Sequence, residues 1–521
     1  MAEPTRTPAR TPAPTPASAS VPDPARTAAR PPVGTPAGAS AADPTRTPAP
    51  HRTVVVLDDD PTGTQTVADL PIITRWALGD VRWALDQGGP GFAVLTNTRS
   101  LDRAEARSRT REVLRAVLTA AGDRAADLVV VSRGDSTLRG HHVDEVEVIV
   151  AELAATAPVD AVVMVPAFPS AGRTTVGGVH LVREGGEVVP AASSSFAADP
   201  TFGYGSSHLA AWLEERSVGR IPASDVVALG LDLVRGPARA LADALLAVHD
   251  ARHVVVDAET DDDLARVVVA GHLAEQSGHR LLWRIGPGLL RPLLGQEARP
   301  ALDSAALAHH VAASDPGTPH GLVVVGSHVP LTTRQVEHLQ REAGDEVDTL
   351  VVDVPALLAP ATRDPEVDRV VAAAVTALRA RDVMVTTSRV RVDGRDGDDS
   401  LRIARQVSRA LVDLTRRVNT EARPSFVVGK GGITSSDLAT EALGLRRAVV
   451  LGTLLPGAVS VWRAAADASS PHPDRPEARA GSSTPPASPT PYAVFPGNVG
   501  TDDALWSALS AFRAAAVKAT G

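Results

Sequence analysis

The sequence predicts an α/β protein: two α/β domains with mainly parallel sheets covered by helices, and a ligand cleft between them. Three observations predict it. Short runs that are apolar throughout alternate with helical patterns, as strands buried on both faces do. That rhythm occurs in two blocks, on either side of a boundary within 301–320. Polar and charged residues repeatedly follow the apolar runs, and open α/β sheets bind ligands beyond the carboxyl ends of their strands. A chain of 521 residues has room for two or three domains at about 150 residues each, and 44% apolar content suffices for real cores.

The elements follow in order. Residues 1–51 are read as a disordered tail: 13 of the 42 prolines fall in the first 50 positions, and large apolar groups are few. In the first domain, 52–300, strands are expected at 53–58 (TVVVLD), 91–98, 128–133 and 161–167, with helices at 101–122 and 141–157. The second domain, 318–517, restarts with strands at 321–327, 349–354, 383–388, 425–432 and 447–452. A Pro/Ser-rich stretch, 468–490, reads as a disordered insertion.

Composition narrows the function. A net charge of -9 argues against a nucleic-acid binder. The absence of cysteine rules out disulfides and thiolate metal sites and fits a reducing, cytoplasmic setting. No apolar run approaches the roughly 20 residues of a membrane span, and no secretory signal is present. The sequence leaves the oligomeric state open, a homodimer included.

Four stretches carry chemistry. LDDDPTG (57–63) aims Asp58, Asp59 and Asp60 out of a buried strand, where like charges repel and gain nothing for stability. Read from Asp58 it is D-x-D-x-T, as in aspartyl-nucleophile phosphatases; read from Asp59 it is D-D-x-T-G; a helix-capping turn is the plain alternative. TNTRSLD (96–102) places Arg99 after another strand. SRGDSTLRGH (132–141) gathers Arg133, Gly134, Asp135, Ser136 and Arg139 at a strand exit. Guanidinium forks match carboxylates and an Asp can orient or deprotonate a hydroxyl, although Asp135–Arg139 could also be a surface i,i+4 pair. VVGKGGITSSDLA (427–439) is the strongest phosphate candidate: Gly431 and Gly432 allow close backbone approach, Ile433 and Thr434 open a helix, and Lys430 is one of only two lysines. Its lysine precedes the glycine pair, so it is no Walker loop. Ser327, closing the strand stretch 321–327, and Gly457 in LPGAV are further loop candidates.

Taken in order, DDPTG, TNTRSL, SRGDSTLRGH, VPAFPSAGRTTVGG, FAADPTFGY, GSHVPLTTRQ, GKGGITSSDLA, LGTLLPG and FPGNVG resemble the four-carbon acid sugar kinase family, over about 53–517. The resemblance implies phosphoryl transfer from ATP, with Mg²⁺, to a hydroxyl of a small polyhydroxy acid. Carried over by motif, it implies substrate contacts from Asp59, Arg99 and Arg133 to Ser136. Nucleotide contacts would come from Ser327, Gly431 to Thr434, and Gly457. On this reading Arg99 and Arg133 grip the substrate carboxylate. Asp59, Asp60 or Asp135 orients the hydroxyl, and Lys430 with Mg²⁺ holds phosphates. A phosphatase with Asp58 as nucleophile, and a sensor without turnover, are the alternatives.

Overall fold

The structure, a computed structural model, describes residues 52–388, 392, 397–465 and 489–520. The proline-rich tail and most of the 468–490 stretch lie outside them. Eighteen strands are present among the described residues. In the first half these are β1 (Thr53–Asp58), β2 (Leu70–Ile73), β3 (Gly91–Leu95), β4 (Leu128–Arg133), β5 (Ala161–Val165), β6 (Arg173–Val176), β7 (Val179–Glu184), β8 (Glu187–Pro190), β9 (Val227–Leu229), β10 (Arg252–Val256) and β11 (Leu281–Ile285). The second half supplies β12 (Leu322–Val325), β13 (Val347–Val352), β14 (Asp382–Thr387), β15 (Val427–Lys430), β16 (Arg447–Leu455), β17 (Val459–Ala464) and β18 (Tyr492–Phe495).

The fold is α/β, as the apolar runs predict. Strand β1 explains why: Val54 and Val56 enter one core while Val55 and Leu57 enter another, so both faces of the sheet are covered. The helix expected at 101–122 is Arg103–Ala121, started by a capping box in which the Asp102 side chain accepts from Glu105 N–H. The one expected at 141–157 is His142–Leu153. The 301–320 stretch holds a helix of its own, Ser304–Ala313.

The two blocks of strands do not form two sheets. They share one of 15 strands, in the order β13-β14-β12-β15-β18-β17-β16-β2-β3-β1-β4-β11-β5-β10-β9, and β6–β8 form a separate antiparallel sheet. The seam is β16, antiparallel to both β2 and β17, while β17 is antiparallel to β18. Three antiparallel pairings make the parallel strands of one half run opposite to those of the other. The six steps from β1 to β15 accumulate about 120–150° of twist at about 20–25° per step. Reversal and twist nearly cancel, so the carboxyl ends of β1 and β15 meet instead of lying at opposite edges.

Among the described residues, no helix is long and apolar enough to cross a membrane.

Candidate active site

Strand β1 ends on Asp58, and Asp59 and Asp60 follow before a tight 3-10 turn at Pro61–Thr64. Asp60 caps that turn, its Oδ1 accepting Thr62 N–H at 2.8 Å. After β3 the chain turns through Asn97 in a left-handed conformation, φ 51°, which carries Arg99 over the aspartates. The Arg99 fork spans both carboxylates: Nη2 donates to Asp59 Oδ1 at 2.7 Å, Nε to Asp59 Oδ2 at 3.3 Å and Nη1 to Asp60 Oδ2 at 3.2 Å. Burial raises the Asp60 carboxyl, but the Arg99 and Arg133 guanidiniums and the Thr62 bond outweigh it, so it lies below the ordinary range.

Arg133, at the end of β4, is 1% exposed. It lies beneath the aspartates, ion-paired with Asp58 and Asp59 and donating to the Asp60 carbonyl. Gly63 makes this possible, because a Cβ there would stand 2.1 Å from Arg133 Nε. Burial pushes the Asp58 carboxyl up to about 7, against the pull of Arg133. Asp58 is 2% exposed, so the phosphatase reading, which needs an accessible nucleophile at Asp58, is set aside. Arg133 is likewise a buried counter-charge in this structure, enclosed where the sequence reading had it gripping substrate.

Asp135 sits in the loop before His142–Leu153. It accepts Thr137 N–H at 3.2 Å and Arg139 Nε at 2.7 Å. Burial raises this carboxyl too, but Arg139, Arg99 and Thr137 together hold it well below the usual range. The Asp135–Arg139 pair therefore forms, but in a loop with Leu138 left-handed at φ 66°, not on a helix surface. Gly134 leaves room for Arg284, which pairs with Glu145 at 2.7 Å and donates to Ser132 Oγ at 2.7 Å. Ser136 is buried, and its carbonyl is 2.7 Å from His180 Nε2.

Arg173 is a residue to which the sequence reading gave no role. It is buried beneath the Phe196 ring, 5.8 Å from its centroid, and its Nε has no partner among the described residues. Burial lowers its pKa, against the pull of Asp135. A buried guanidinium this near Asp135, with a donor still unsatisfied, suits an anion. Its only signal in the sequence is a lone arginine in a Pro/Gly-rich strand exit.

The other wall comes from three neighbouring parallel strands, β12, β15 and β18, each leaving its carboxyl end through glycine. At Gly326 a Cβ would lie 2.1 Å from Thr434 Oγ1; at Gly497, 2.5 Å from Ser327 Oγ. Gly431, at φ +127°, has Ser327 Cβ and Thr434 Oγ1 both at 3.2 Å from its Cβ position. Thr332 Oγ1 ties the turns together, donating to Gly497 O at 2.9 Å. The helix Gly432–Asp437 starts here, with Ile433 exposed at its first turn. Lys430 is placed differently from its neighbours. It is fully enclosed, donating to the Pro496 carbonyl at 2.6 Å and lying 3.6 Å from the Phe495 ring centroid, and burial holds its pKa well below the ordinary value.

The walls meet at two places. A Cβ on Gly432 would stand 2.6 Å from Asp60 Oδ2, and one on Gly457 would stand 3.1 Å from Ser170 Oγ. Behind the first contact, Thr64 Oγ1 is 2.8 Å from Ser460 Oγ and accepts from Trp462 Nε1 at 3.0 Å. A cluster of carboxylates and guanidiniums thus meets a set of glycine turns and hydroxyls where the two walls touch.

Residues 54–293 match the family model of a sugar-binding N-terminal domain, and residues 322–505 that of a nucleotide-binding C-terminal domain. A D-erythronate kinase from Heliobacterium modesticaldum is 30% identical over 287 residues, 54% of this chain and 56% of that protein. The match thus spans little more than half the length of that curated relative. A crystal structure of a Haemophilus influenzae protein superposes with a TM-score of 0.54 at 17% identity, covering 88% of this chain and 100% of that one. Another, of a Salmonella typhimurium LT2 protein provisionally termed a tRNA synthase, gives 0.58 at 18%, covering 88% and 98%. At these identities the likeness is one of fold.

Proposed function

We propose that this chain, which belongs to the four-carbon acid sugar kinase family, transfers the γ-phosphoryl group of ATP to a hydroxyl of a four-carbon sugar acid such as threonate, erythronate or an oxo-tetronate. The observation that carries this reading is the approach of the Gly431–Gly432 turn to Asp60. Phosphoryl transfer asks for positioning and charge neutralisation more than for covalent chemistry, and this junction brings carboxylates and guanidiniums against a set of glycine turns.

In the mechanism we infer, the substrate carboxylate lies against Arg173, whose Nε is unsatisfied among the described residues, with Arg139, shared with Asp135 and Asp199, at the same Phe196 ring. Arg99, fixed by Asp59, holds Asp60 ionised, and Asp60 accepts the proton of the attacking hydroxyl. The glycine turns at 326–327, 431–432 and 497 let backbone approach the nucleotide phosphates, with Gly457 closing the wall by Ser170. Ser327 and Thr434 converge on space that a Cβ at 326 or 431 would fill. Their hydroxyls are hard oxygen donors that fit Mg²⁺ beside phosphates. Bound there, Mg²⁺ would supply neutralisation of phosphate charge. A cytoplasmic setting belongs to the same reading.

Purified protein with MgATP should release ADP in the presence of at least one C4 sugar acid or its oxo form. Asp60→Asn should lower kcat by at least about tenfold, or about 1.4 kcal/mol of transition-state stabilisation. No ADP release with the whole C4 panel would overturn the reading, as would wild-type turnover in Asp60→Asn.

A further inference from the structure

The amino-terminal edge of the same sheet carries a second cluster. Asp160 immediately precedes β5, His249 stands three residues before β10, and His279 two before β11. These three strands are adjacent and parallel, in the order β11-β5-β10. The candidate-site residues leave carboxyl ends, so the cluster is separated from them by a strand length, about 16 Å for five residues.

We propose that Asp160, His249 and His279 form a binding site for a divalent transition-metal ion of the Zn²⁺ class. One carboxylate stands between two imidazoles. His279 Nδ1 lies 3.6 Å from Asp160 Oδ2, and His249 Nδ1 lies 3.8 Å from Asp160 Oδ1. The three ligand atoms all fall within 4.8 Å of one another. Both contacts are longer than hydrogen bonds. A tetrahedral ion with bonds of about 2.0–2.1 Å separates its ligands by roughly 3.4 Å, so small side-chain rotations close the site.

Local structure holds the ligands in place. Arg280 N–H donates to Asp160 Oδ2 at 2.8 Å, and Asp160 N–H donates to the Arg280 carbonyl at 2.9 Å, which fixes the carboxylate. His279 is 6% exposed, and its Nε2 is buried with no partner among the described residues. No hydrogen bond there anchors the ring; an ion on Nδ1 would. After His249 the chain passes through Asp250 at φ 61° and Ala251 at φ 54°. Two successive non-glycine residues in the left-handed region are unfavourable, and they set the bend from which His249 reaches back to Asp160.

The donor set selects the ion. Two imidazoles and one carboxylate suit Zn²⁺, Co²⁺ or Ni²⁺, whereas Mg²⁺ takes oxygen donors. The site is therefore distinct in chemistry, as in place, from any Mg²⁺ carried by the nucleotide. With His249 63% exposed, the remaining coordination positions open to water. A bound ion would tie together the segments that lead into β5, β10 and β11.

Chelator-treated full-length protein, titrated with Zn²⁺ in a calorimeter and with Co²⁺ by visible spectroscopy, tests this. One equivalent of Zn²⁺ should bind with Kd of about 10 μM or tighter, the melting temperature should rise, and Co²⁺ should give ligand-field bands of a low-coordinate N₂O site. Millimolar Mg²⁺ should not compete. His249→Ala, at an exposed position, should fold and weaken Zn²⁺ binding at least about tenfold with kinase turnover unchanged; His279→Ala should do the same if it folds. Absence of Zn²⁺ binding overturns the proposal. So does an equivalent that survives His249→Ala, which would place the ion on other histidines.

Discussion

Gly432 and Asp60 come from opposite halves of the chain, yet a methyl group on Gly432 would lie 2.6 Å from Asp60 Oδ2. That carboxylate has nowhere to retreat, because Thr62 N–H holds one oxygen and Arg99 the other. Gly432 is not in the left-handed region, so alanine meets no backbone strain there and tests the contact alone. Gly432→Ala should lower the melting temperature, since overpacking against a fixed carboxylate costs about 1–3 kcal/mol, and should lose at least about tenfold in kcat/KM, about 1.4 kcal/mol. Steady-state kinetics beside thermal unfolding separate the two effects. Normal kinetics would mean that the junction plays no part in turnover.

Arg99 acts on Asp60 as a fork, which lysine cannot reproduce. In Arg99→Lys one carboxylate loses its planar partner, and the restraint that keeps Asp60 low is weakened. The Asp60 carboxyl should then rise toward its ordinary value. Ionised Asp60 is the active form, so the acid limb of the pH–kcat/KM profile should move to higher pH. A profile superimposable on wild type would remove Asp60 from the titrating machinery.

The same interlock can be probed through stability. Gly63→Ala would push a Cβ to 2.1 Å from Arg133 Nε, and Arg133 is enclosed by the aspartate loop. Overpacking of this kind costs about 1–3 kcal/mol. Urea unfolding should therefore show a lower midpoint with an unchanged slope.

Much of this arrangement is legible locally, and the rest is not, for a definite reason. Strands such as β1 and β4 announce themselves because both faces are buried and residues 54–57 and 128–131 are apolar throughout. Strand β11, LLWRI, hides its meaning in Arg284, whose partner Glu145 lies 139 residues away. The small β6–β8 sheet is half exposed and rich in turn glycines, so it reads as loop. The joining of both halves into one sheet depends on β16 pairing with β2, between Ala448 and Ile72 among others, and nothing in either segment specifies that partner. The same holds at the site. Asp59 and Arg99 stand out as chemistry-bearing residue types, but that they bind each other is a matter of strand order, β3 lying beside β1.

Asp58 supplies a pH-dependent term. Its carboxyl is raised by burial from 3.8 to about 7, so between those values the folded protein keeps a proton that the unfolded chain has lost. Stability from this group is thus present at low pH and lost as pH rises through 7. Asp58→Asn removes the ionisable group. The difference in unfolding free energy between wild type and Asp58→Asn should shift against wild type from pH 5 to pH 8, by on the order of a few kcal/mol. Urea denaturation at the two pH values measures it, and a pH-independent difference would show that Arg133 keeps Asp58 charged throughout.

Lys430 discriminates between two accounts of the glycine-rich turn. If its amine held phosphates, Lys430→Met would raise the KM for ATP and lower kcat, as removal of a phosphate cation does. In the structure the amine is enclosed, bonded to the Pro496 carbonyl and set over the Phe495 ring, with burial favouring its neutral form. Methionine has similar length and loses only that one hydrogen bond, worth about 1 kcal/mol net, while removing a polar group from an apolar site. Lys430→Met should therefore keep kcat and the KM for ATP within about threefold of wild type, a change below about 1 kcal/mol. A large KM effect in a well-folded variant would mean that Lys430 leaves its pocket when nucleotide binds, and would return it to the phosphate site.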